Sequence, residues 1–194
     1  MKAITKGSII EINGLLLPVW GGKKGKFTHI LEAIYHQMNN MLSHHSRVLL
    51  VRSDLHLHDY TQNSELLSDF IRKLRKRLKA KYKLTRLGYI WVRERNISNN
   101  TKQAQHYHLA LMLDGNKVQH PGNIHKLIES IWQNWDQPKP FTPKNSYYKI
   151  QRGNQHQFNN AFKRCSYFAK VVTKEDKAPQ TNHYSASRIK QRMK

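Results

Sequence analysis

Two runs with the alternation of a β-strand stand next to each other near the middle of the chain, TRLGYIWVRERN at 85–96 and QHYHLALML at 105–113. The polar stretch ISNNTKQA joins them, which predicts an antiparallel hairpin. A strand-like run at 47–58 and a helical pattern at 64–81 precede the hairpin. A helical pattern at 123–135 and a further strand-like run, SYYKIQ, follow it. The chain is thereby constrained to a fold in which a hairpin is inserted between a strand–helix unit and a helix–strand unit.

This order predicts an α+β fold of the split βαβ type, related to the ferredoxin-like and RNA-recognition-motif (RRM) architectures, with a central antiparallel sheet. We expect the helices to lie mainly on one face of that sheet, which leaves the other face free for a site. Two more helical patterns flank the core, at 27–42 and 157–172, and near the start Asn13-Gly14 stands between two apolar runs, a strong hairpin signal. We expect three parts: an N-terminal hairpin extension over 1–26, a main domain over 27–172 and a basic flexible tail over 173–194.

The charge balance indicates a polyanionic partner. The 194 residues include 34 Lys and Arg but 12 Asp and Glu, a net charge of +22. That excess is far beyond what solubility requires, and it favours nucleic acid first and an anionic membrane surface second. No apolar run approaches the roughly 20 residues of a membrane span, so we expect no membrane partner. The single cysteine, Cys165, cannot form an internal disulfide and suits a reducing cytoplasm.

Two histidines of the second hairpin strand are candidate metal ligands. Side chains two apart on a strand point to the same face, so His106 and His108 stand side by side while Tyr107 turns into the core. Glu94, on the partner strand, would come to the same end of the hairpin. Two imidazoles and a carboxylate with open coordination positions suit a divalent metal, Mg²⁺ or Mn²⁺ with Zn²⁺ as a further candidate, in phosphate chemistry.

A second His-x-His triplet, DLHLHDY at 54–60, leaves the third ligand open. His56 and His58 share the outward face of their strand with Arg52 and Asp54. If this strand pairs antiparallel with the first His-x-His strand, His56 is an alternative third ligand or a contact to a DNA phosphate. A histidine at a solvated strand end is the plainer interpretation.

Tyr167 and Lys170 are three apart in the last helical pattern and therefore on one face of the predicted helix. A tyrosine hydroxyl, with an ordinary pKa near about 10, is a poor nucleophile at neutral pH and needs a metal-polarised phosphate and a nearby cation. Lys170 could supply that cation or steady a leaving group. Such a pair taken singly is more often a packing residue and a solvated lysine. The order of strand acid, His-x-His strand and helical Tyr-x-x-Lys favours a catalytic tyrosine.

In that order, Glu94, HYH at 106–108 and YFAK at 167–170 resemble the HUH endonuclease superfamily of rolling-circle replication initiators, relaxases and single-tyrosine transposases. Within it, HSRVLLVRSDLHL, WVRERN and HYHLALMLDGN are similar to the phage- and plasmid-borne replication proteins of the inovirus type, including the YagK/YfjJ C-terminal domain family. The resemblance covers roughly residues 27–172, most of the chain. A single His-x-His is a weak signal, whereas three motifs in order are more specific.

The resemblance implies a five-stranded antiparallel sheet, a metal held by His106, His108 and a third polar ligand, and a single-stranded DNA substrate. It also implies that Tyr167 becomes covalently joined to a 5′ phosphate. The chain would then be a site-specific DNA nicking and joining endonuclease, a rolling-circle replication initiator in a bacterial host cell. Its substrate would be single-stranded or hairpin DNA at a replication origin. A separate host helicase and polymerase are implied, because we find no Walker-type phosphate loop, and a second protomer could supply a second nucleophile.

Basic side chains are expected to hold the DNA backbone with an affinity that falls steeply as salt rises. Arg93 and Arg95, on either side of Glu94, and the Lys/Arg-rich helix at 64–81 are the candidates. Four aromatic residues could stack on bases, although core or loop packing is the plainer interpretation of each: Trp132, Trp135, Tyr147 and Tyr148.

Two alternatives stay open. A single-tyrosine transposase or a relaxase would share the same residues, although the compact size weakens the relaxase interpretation. An alternative of another class is a non-catalytic RRM-like nucleic-acid-binding protein whose histidines hold a structural zinc or nothing. The aromatic signature of RRM strands is not evident, since the aromatic residue of the His108 strand is predicted to face inward.

Overall fold

A computed structural model of the protein describes residues 3–96, 104–171 and 182–193. The helices are α1 (Thr28–His44), α2 (Glu65–Tyr82), α3 (Gly122–Gln133) and α4 (Gln155–Ser166). The short strands of the first part of the chain are β1 (Ile4–Thr5), β2 (Ile9–Ile12), β3 (Leu15–Pro18) and β4 (Lys26–Phe27). The strands that follow are β5 (Arg47–His56), β6 (Gly88–Asn96), β7 (Ala104–Asp114), β8 (Tyr147–Gln151) and β9 (Tyr184–Ala186). The loop predicted to join β6 to β7 falls largely outside the described residues.

A five-stranded antiparallel sheet of order β8-β5-β7-β6-β9 forms the centre of the molecule. Four strands of this sheet and the two helices between them follow one another along the chain as β5-α2-β6-β7-α3-β8, the βαββαβ order of a ferredoxin-like fold. The predicted α+β fold with a five-stranded antiparallel sheet is confirmed. β7 lies between β5 and β6 and is paired with both along nearly its whole length.

The alternation within β5 and β7 divides the sheet into the two faces that the sequence predicts. Leu49 and Val51 of β5, with Leu109 and Leu111 of β7, pack against α2 and α3 in one buried apolar cluster. The intervening residues point the other way, because successive side chains of a strand face opposite sides. This second face is apolar toward one end of β7, at Met112, and polar toward the other end, where the histidines lie.

The expectation that helices lie mainly on one face is wrong. α2 and α3 cover one face, but α1 and α4 pack on the other, where Ile34, Met38 and Phe162 form a core with Leu50 and Met112. The physical reason is that α1 and α4 each carry an apolar stripe that must be buried. The apolar residues of β5 and β7 on that face supply the matching surface. The site is therefore confined to the polar end of a sheet covered on both sides.

The N-terminal hairpin forms as predicted. β2 and β3 pair antiparallel, and Asn13 and Gly14 between them have positive φ angles of 52° and 75°. Positive φ at both central residues is what a type I′ turn requires, which explains the Asn-Gly pair. Leu17 and Val19 are buried in the core that also contains α1 and α4, so this segment packs onto the main body of the fold. The boundary proposed at residue 26 stays a prediction.

The expectation of a flexible tail over 173–194 is wrong for β9. Residues 184–186 pair antiparallel with β6 and form the fifth strand of the sheet. The edge of β6 exposes a row of backbone N–H and C=O groups, and a segment can satisfy them without any apolar pattern of its own. Ser187 is buried next to β9, and its backbone N–H donates to the Tyr89 carbonyl at 2.9 Å.

Along the described ranges, no helix combines the length and the apolar character that crossing a bilayer requires.

Replacement of Ser187 by alanine tests whether the C-terminal segment belongs to the fold. The Ser187 hydroxyl accepts from the Tyr89 N–H at 3.1 Å and donates to Gln37 Oε1. Ser187→Ala leaves the half-buried Tyr89 N–H and the buried Gln37 Oε1 without these partners, so we expect a loss of about 1–3 kcal/mol in the free energy of unfolding, measured by urea denaturation. Ser185→Ala, in the half-buried strand next to it, should change stability by less than about 0.5 kcal/mol. Equal effects of the two substitutions would contradict this role for Ser187.

Candidate metal centre and tyrosine

The registers of β7 with its two neighbours bring polar side chains into one row. Glu94 of β6 lies opposite His106, while Asp54 and His56 of β5 lie opposite His108 and His106. Residues directly opposite each other in an antiparallel pair have their Cβ atoms about 4.5–5.5 Å apart and point to the same face. Three strands therefore contribute to a single polar strip across the sheet.

Glu94, His106 and His108 form a buried cluster that could hold a divalent metal ion. One ligand atom of each lies within 4.8 Å of the others. Glu94 Oε2 is 3.2 Å from His108 Nε2 and 3.5 Å from His106 Nε2. Ligands about 2.1 Å from a tetrahedral ion stand about 3.4 Å from one another. The spacing of these atoms fits a common cation, and nitrogen with carboxylate oxygen is a usual donor set for divalent metals.

Asp54 orients one of these imidazoles. His108 Nδ1 lies 2.7 Å from Asp54 Oδ1, a hydrogen bond in which the ring donates. This bond directs the opposite ring nitrogen, Nε2, at Glu94, the arrangement in which a carboxylate sets the tautomer of a metal-binding histidine. Burial lowers the pKa of His108, but hydrogen bonds with Asp54 and Glu94 outweigh it and hold that pKa above its usual value. The cluster thus favours positive charge, which a metal ion would supply in place of a proton.

Tyr167 and Lys170 adjoin the cluster, although not on an α-helix as predicted. α4 ends at Ser166 and a 3₁₀ turn covers Tyr167–Ala169. Side chains three apart eclipse each other in a 3₁₀ turn, so the pair still meets. Lys170 Nζ donates to Tyr167 Oη at 2.5 Å and lies 2.8 Å from Glu94 Oε2. One ammonium group therefore connects the tyrosine hydroxyl to the carboxylate of the cluster.

The Tyr167 ring sits between the cluster and the N-terminal segment. Its centroid is 5.5 Å from that of His108 and 5.1 Å from that of Trp20. Phe168 stacks on His108 at 5.6 Å and carries the Arg52 guanidinium over its ring at 4.6 Å. Burial lowers the pKa of Lys170, but its contacts with Glu94 and Tyr167 outweigh that effect and keep the pKa above its usual value. Lys170 is thus held as a cation beside the phenol.

The predicted DNA contact through Arg93 is wrong. Arg93 points to the opposite face of the sheet from Glu94, because neighbouring residues of a strand alternate. Its side chain is buried, and its guanidinium donates to backbone carbonyls of residues 61–63, to Ser64 Oγ at 2.6 Å and to Tyr107 Oη at 3.1 Å. These bonds anchor the loop before α2, so Arg93 has a structural role.

Arg95 and His56 have different positions relative to the cluster. Arg95 lies on the same face as α2, with its guanidinium 4.4 Å above the Tyr60 ring, so any contact it makes with DNA would be away from the metal cluster and stays a prediction. The His56 ring stacks on His106 at 5.3 Å. Burial and the neighbouring His106 lower the pKa of His56, which favours its neutral form. His56 borders the cluster, while Glu94 is the residue whose oxygen lies among the two imidazole nitrogens.

Sequence reasoning missed Asp54, Phe168 and Trp20. Strand alternation puts Asp54 on the outward face of its strand, two residues before His56, but by itself gives Asp54 no role. The signal available was the antiparallel pairing of the two His-x-His strands, which puts an acid opposite a histidine. No sequence signal marked Trp20, which is far from Tyr167 along the chain.

Comparison with known protein families provides the assignment of the chain. The family model of the YagK/YfjJ C-terminal domain matches residues 15–184. The chain belongs to this family. The match begins in the N-terminal hairpin, ends in β9 and includes the whole metal cluster, Tyr167 and Lys170. No curated protein and no solved structure matches the chain significantly.

Replacement of Glu94 tests the third ligand of this YagK/YfjJ domain. Glu94→Gln removes the negative charge between the two imidazoles. Changes to residues that only hydrogen-bond to a metal ligand typically lower metal affinity about 10–100-fold, and we expect a larger loss of Mn²⁺ affinity here. Isothermal titration calorimetry measures the change. His56→Ala, which alters the neighbouring ring, should cost less than tenfold. A larger loss from His56→Ala than from Glu94→Gln would make His56 the ligand.

Replacement of Asp54 tests the orientation of His108. Asp54→Asn keeps the shape of the side chain but weakens the hydrogen bond from His108 Nδ1. Changes of this kind, to a residue that orients a metal ligand, typically lower metal affinity about 10–100-fold. The same titration with Mn²⁺ measures this effect. Asp59→Asn, an exposed carboxylate shortly after the end of β5, serves as the control and should leave affinity unchanged. An unchanged affinity in Asp54→Asn would show that His108 needs no orienting partner.

Proposed function

We propose that this YagK/YfjJ domain is a metal-dependent, HUH-type endonuclease that nicks and rejoins single-stranded DNA, with Tyr167 as the nucleophile. The observation that carries the proposal is the position of Lys170 Nζ, 2.5 Å from Tyr167 Oη and 2.8 Å from Glu94 Oε2. This arrangement supports the proposal, because the proposed nucleophile, a cation and the candidate metal ligands would then be within reach of one phosphodiester. The net charge of +22 supports a polyanionic substrate.

In the proposed reaction, the bond from Tyr167 Oη to phosphorus forms while the bond from phosphorus to the 3′ oxygen breaks. The phenol proton passes to water, and the departing 3′ oxygen takes a proton from water. Lys170 donates a hydrogen bond to Oη and stabilises the negative charge that develops there. The products are a 5′-phosphotyrosine and a free 3′-OH, which can prime synthesis. The phosphotyrosine ester conserves the energy of the broken phosphodiester bond, so rejoining of the DNA needs no nucleotide cofactor.

A divalent ion held by Glu94, His106 and His108 would offset negative charge on the scissile phosphate. Mg²⁺ and Mn²⁺ are the ions we propose, with Zn²⁺ as an alternative. Asp54 keeps His108 in the tautomer that presents Nε2 to the cluster, and Phe168 stacks on the same ring and restricts its rotation. These residues prepare the site before the substrate arrives.

We further propose that the substrate is single-stranded or hairpin DNA at a replication origin, used with a separate helicase and polymerase of the host cell. A transposase or relaxase would use the same chemistry on another DNA. An RRM-like binding role is less compatible with the fold. RRM domains bind RNA on an open sheet face, and here α1 and α4 cover the face opposite α2 and α3.

Formation of a covalent adduct tests the proposal. The protein is incubated with Mn²⁺ and a panel of labelled single-stranded and hairpin oligonucleotides, and denaturant-resistant adducts are separated by electrophoresis. Tyr167→Phe should abolish the adduct and leave binding intact, because it removes the attacking oxygen but keeps the ring. Tyr184→Phe, a half-buried tyrosine of β9, should form the adduct at the normal rate.

Chelation of the metal should also abolish the adduct. An adduct that persists in Tyr167→Phe would place the nucleophile elsewhere. Binding of every oligonucleotide in the panel without any adduct would favour the non-catalytic alternative.

A further inference from the structure

A groove with a volume of about 520 Å³ adjoins Tyr167. It lies between the loop that follows β3, strand β8 with the residues before it, and one side of α4. The residues that matter for its chemistry are Trp20, Asn145, Tyr148, Asn160, Lys163 and Tyr167. The volume is within the range of about 300–1,000 Å³ common for sites that enclose a small ligand or part of a larger one.

The lining of this groove combines the groups that bind a nucleotide. Aromatic rings supply flat surfaces on which a base can stack, and lysine and arginine attract the phosphate backbone. Two asparagine amides can donate to and accept from base edges. Among the described residues that line it there is no carboxylate. Of the aromatic residues considered from sequence, Tyr147 and Tyr148 line the groove, whereas Trp132 is fully buried on the other side of the sheet.

Trp20 is held rigidly at the end of the groove next to the phenol. Its backbone N–H donates to Ser166 Oγ at 2.7 Å, and its carbonyl accepts from Lys26 Nζ at 2.8 Å. Its ring lies directly on Gly22, where a Cβ atom would come within 1.8 Å of it. The edge-on contact with Tyr167 completes the arrangement, with the ring planes at 82°. A half-exposed indole fixed in this way is a preformed stacking surface, which binds at a lower entropic cost than a mobile one.

We infer that the groove holds the nucleotide next to the scissile phosphate, with its base stacked on Trp20 and its backbone phosphate on Lys163. The N-terminal segment would then contribute directly to substrate binding. Lys163 is exposed on α4, one turn before Tyr167. A DNA strand with one phosphate bound to Lys163 would therefore lead toward the phenol. This inference rests on the proposed function for its choice of single-stranded DNA as the ligand.

The stacking contact is tested by fluorescence anisotropy with a labelled oligothymidylate, in the Tyr167→Phe background so that chemistry does not interfere. Loss of a base–aromatic stack typically weakens binding by about 5- to 150-fold, and we expect that range for Trp20→Ala. Trp135→Ala, a half-buried tryptophan near the end of α3, is the matched control and should change the dissociation constant less than twofold. Equal dissociation constants for Trp20→Ala and its parent would overturn the inference.

The phosphate contact is tested by the salt dependence of the same binding. Lys163→Gln should reduce the slope of log affinity against log salt by about 1, the effect of one lost phosphate contact. Lys126→Gln, an exposed lysine of α3, should leave the slope unchanged. Equal slopes in the two variants would assign binding to the general positive charge of the protein and overturn the role of Lys163.

Intrinsic fluorescence provides a measurement that does not depend on the truncation of a side chain. Stacking of a base on Trp20 should quench part of the tryptophan emission, and Trp20→Phe should remove that quenching while Trp135→Phe keeps it. Quenching that persists in Trp20→Phe would overturn the inference. These assays measure binding alone and are independent of the adduct assay. If the Trp20 and Lys163 variants lose binding as expected but the unmodified protein forms no adduct, the proposed nuclease is contradicted and the groove assignment is left intact.

Discussion

The antiparallel register of β7 between β5 and β6 is the constraint on which the candidate site depends. In this register His108 faces Asp54, and His106 faces both His56 and Glu94. A slip of one residue would turn every side chain of β7 to the other face, since the side-chain period of a strand is two. The histidines would then enter the apolar layer under α2 and α3. The leucines of β7 that fill that layer therefore also hold the candidate metal ligands in place.

A group of ionisable residues is buried at one end of this sheet. Their burial is stable only because each charged residue is paired with another. Glu94 is 1 % exposed and lies close to two imidazoles and one ammonium group. Removal of one partner from a buried ion pair leaves an unpaired charge and typically lowers the free energy of unfolding by about 3–5 kcal/mol. Each member of the group is therefore restrained by its neighbours. This restraint is what positions the Tyr167 phenol without a substrate.

The molecule surrounds a ferredoxin-like core with segments that the core topology does not require. α1 and α4 cover the second face of the sheet, β9 completes its edge, and the segment around Trp20 closes the side of the tyrosine. Lys26 ties that segment down, because its buried ammonium donates to the carbonyls of Gly7 and Trp20 at 2.7 and 2.8 Å. The site is thus assembled from the core strands and from parts of the chain on either side of them.

Local patterns in the sequence determined the four helices, the N-terminal hairpin, the strands β5 to β8 and the side-by-side placement of His106 and His108, because periodicity and alternation act between near neighbours in the chain. They also determined which residues of β5 and β7 face the apolar layer, and they singled out Glu94, Tyr167 and Lys170. Only the tertiary structure decided that Asp54 orients His108, that Arg93 is buried in a structural role, that β9 joins the sheet and that Trp20 packs on Tyr167. These outcomes depend on which distant segments meet, and that choice is made by the burial of two apolar faces and by the pairing of sheet edges across the whole chain.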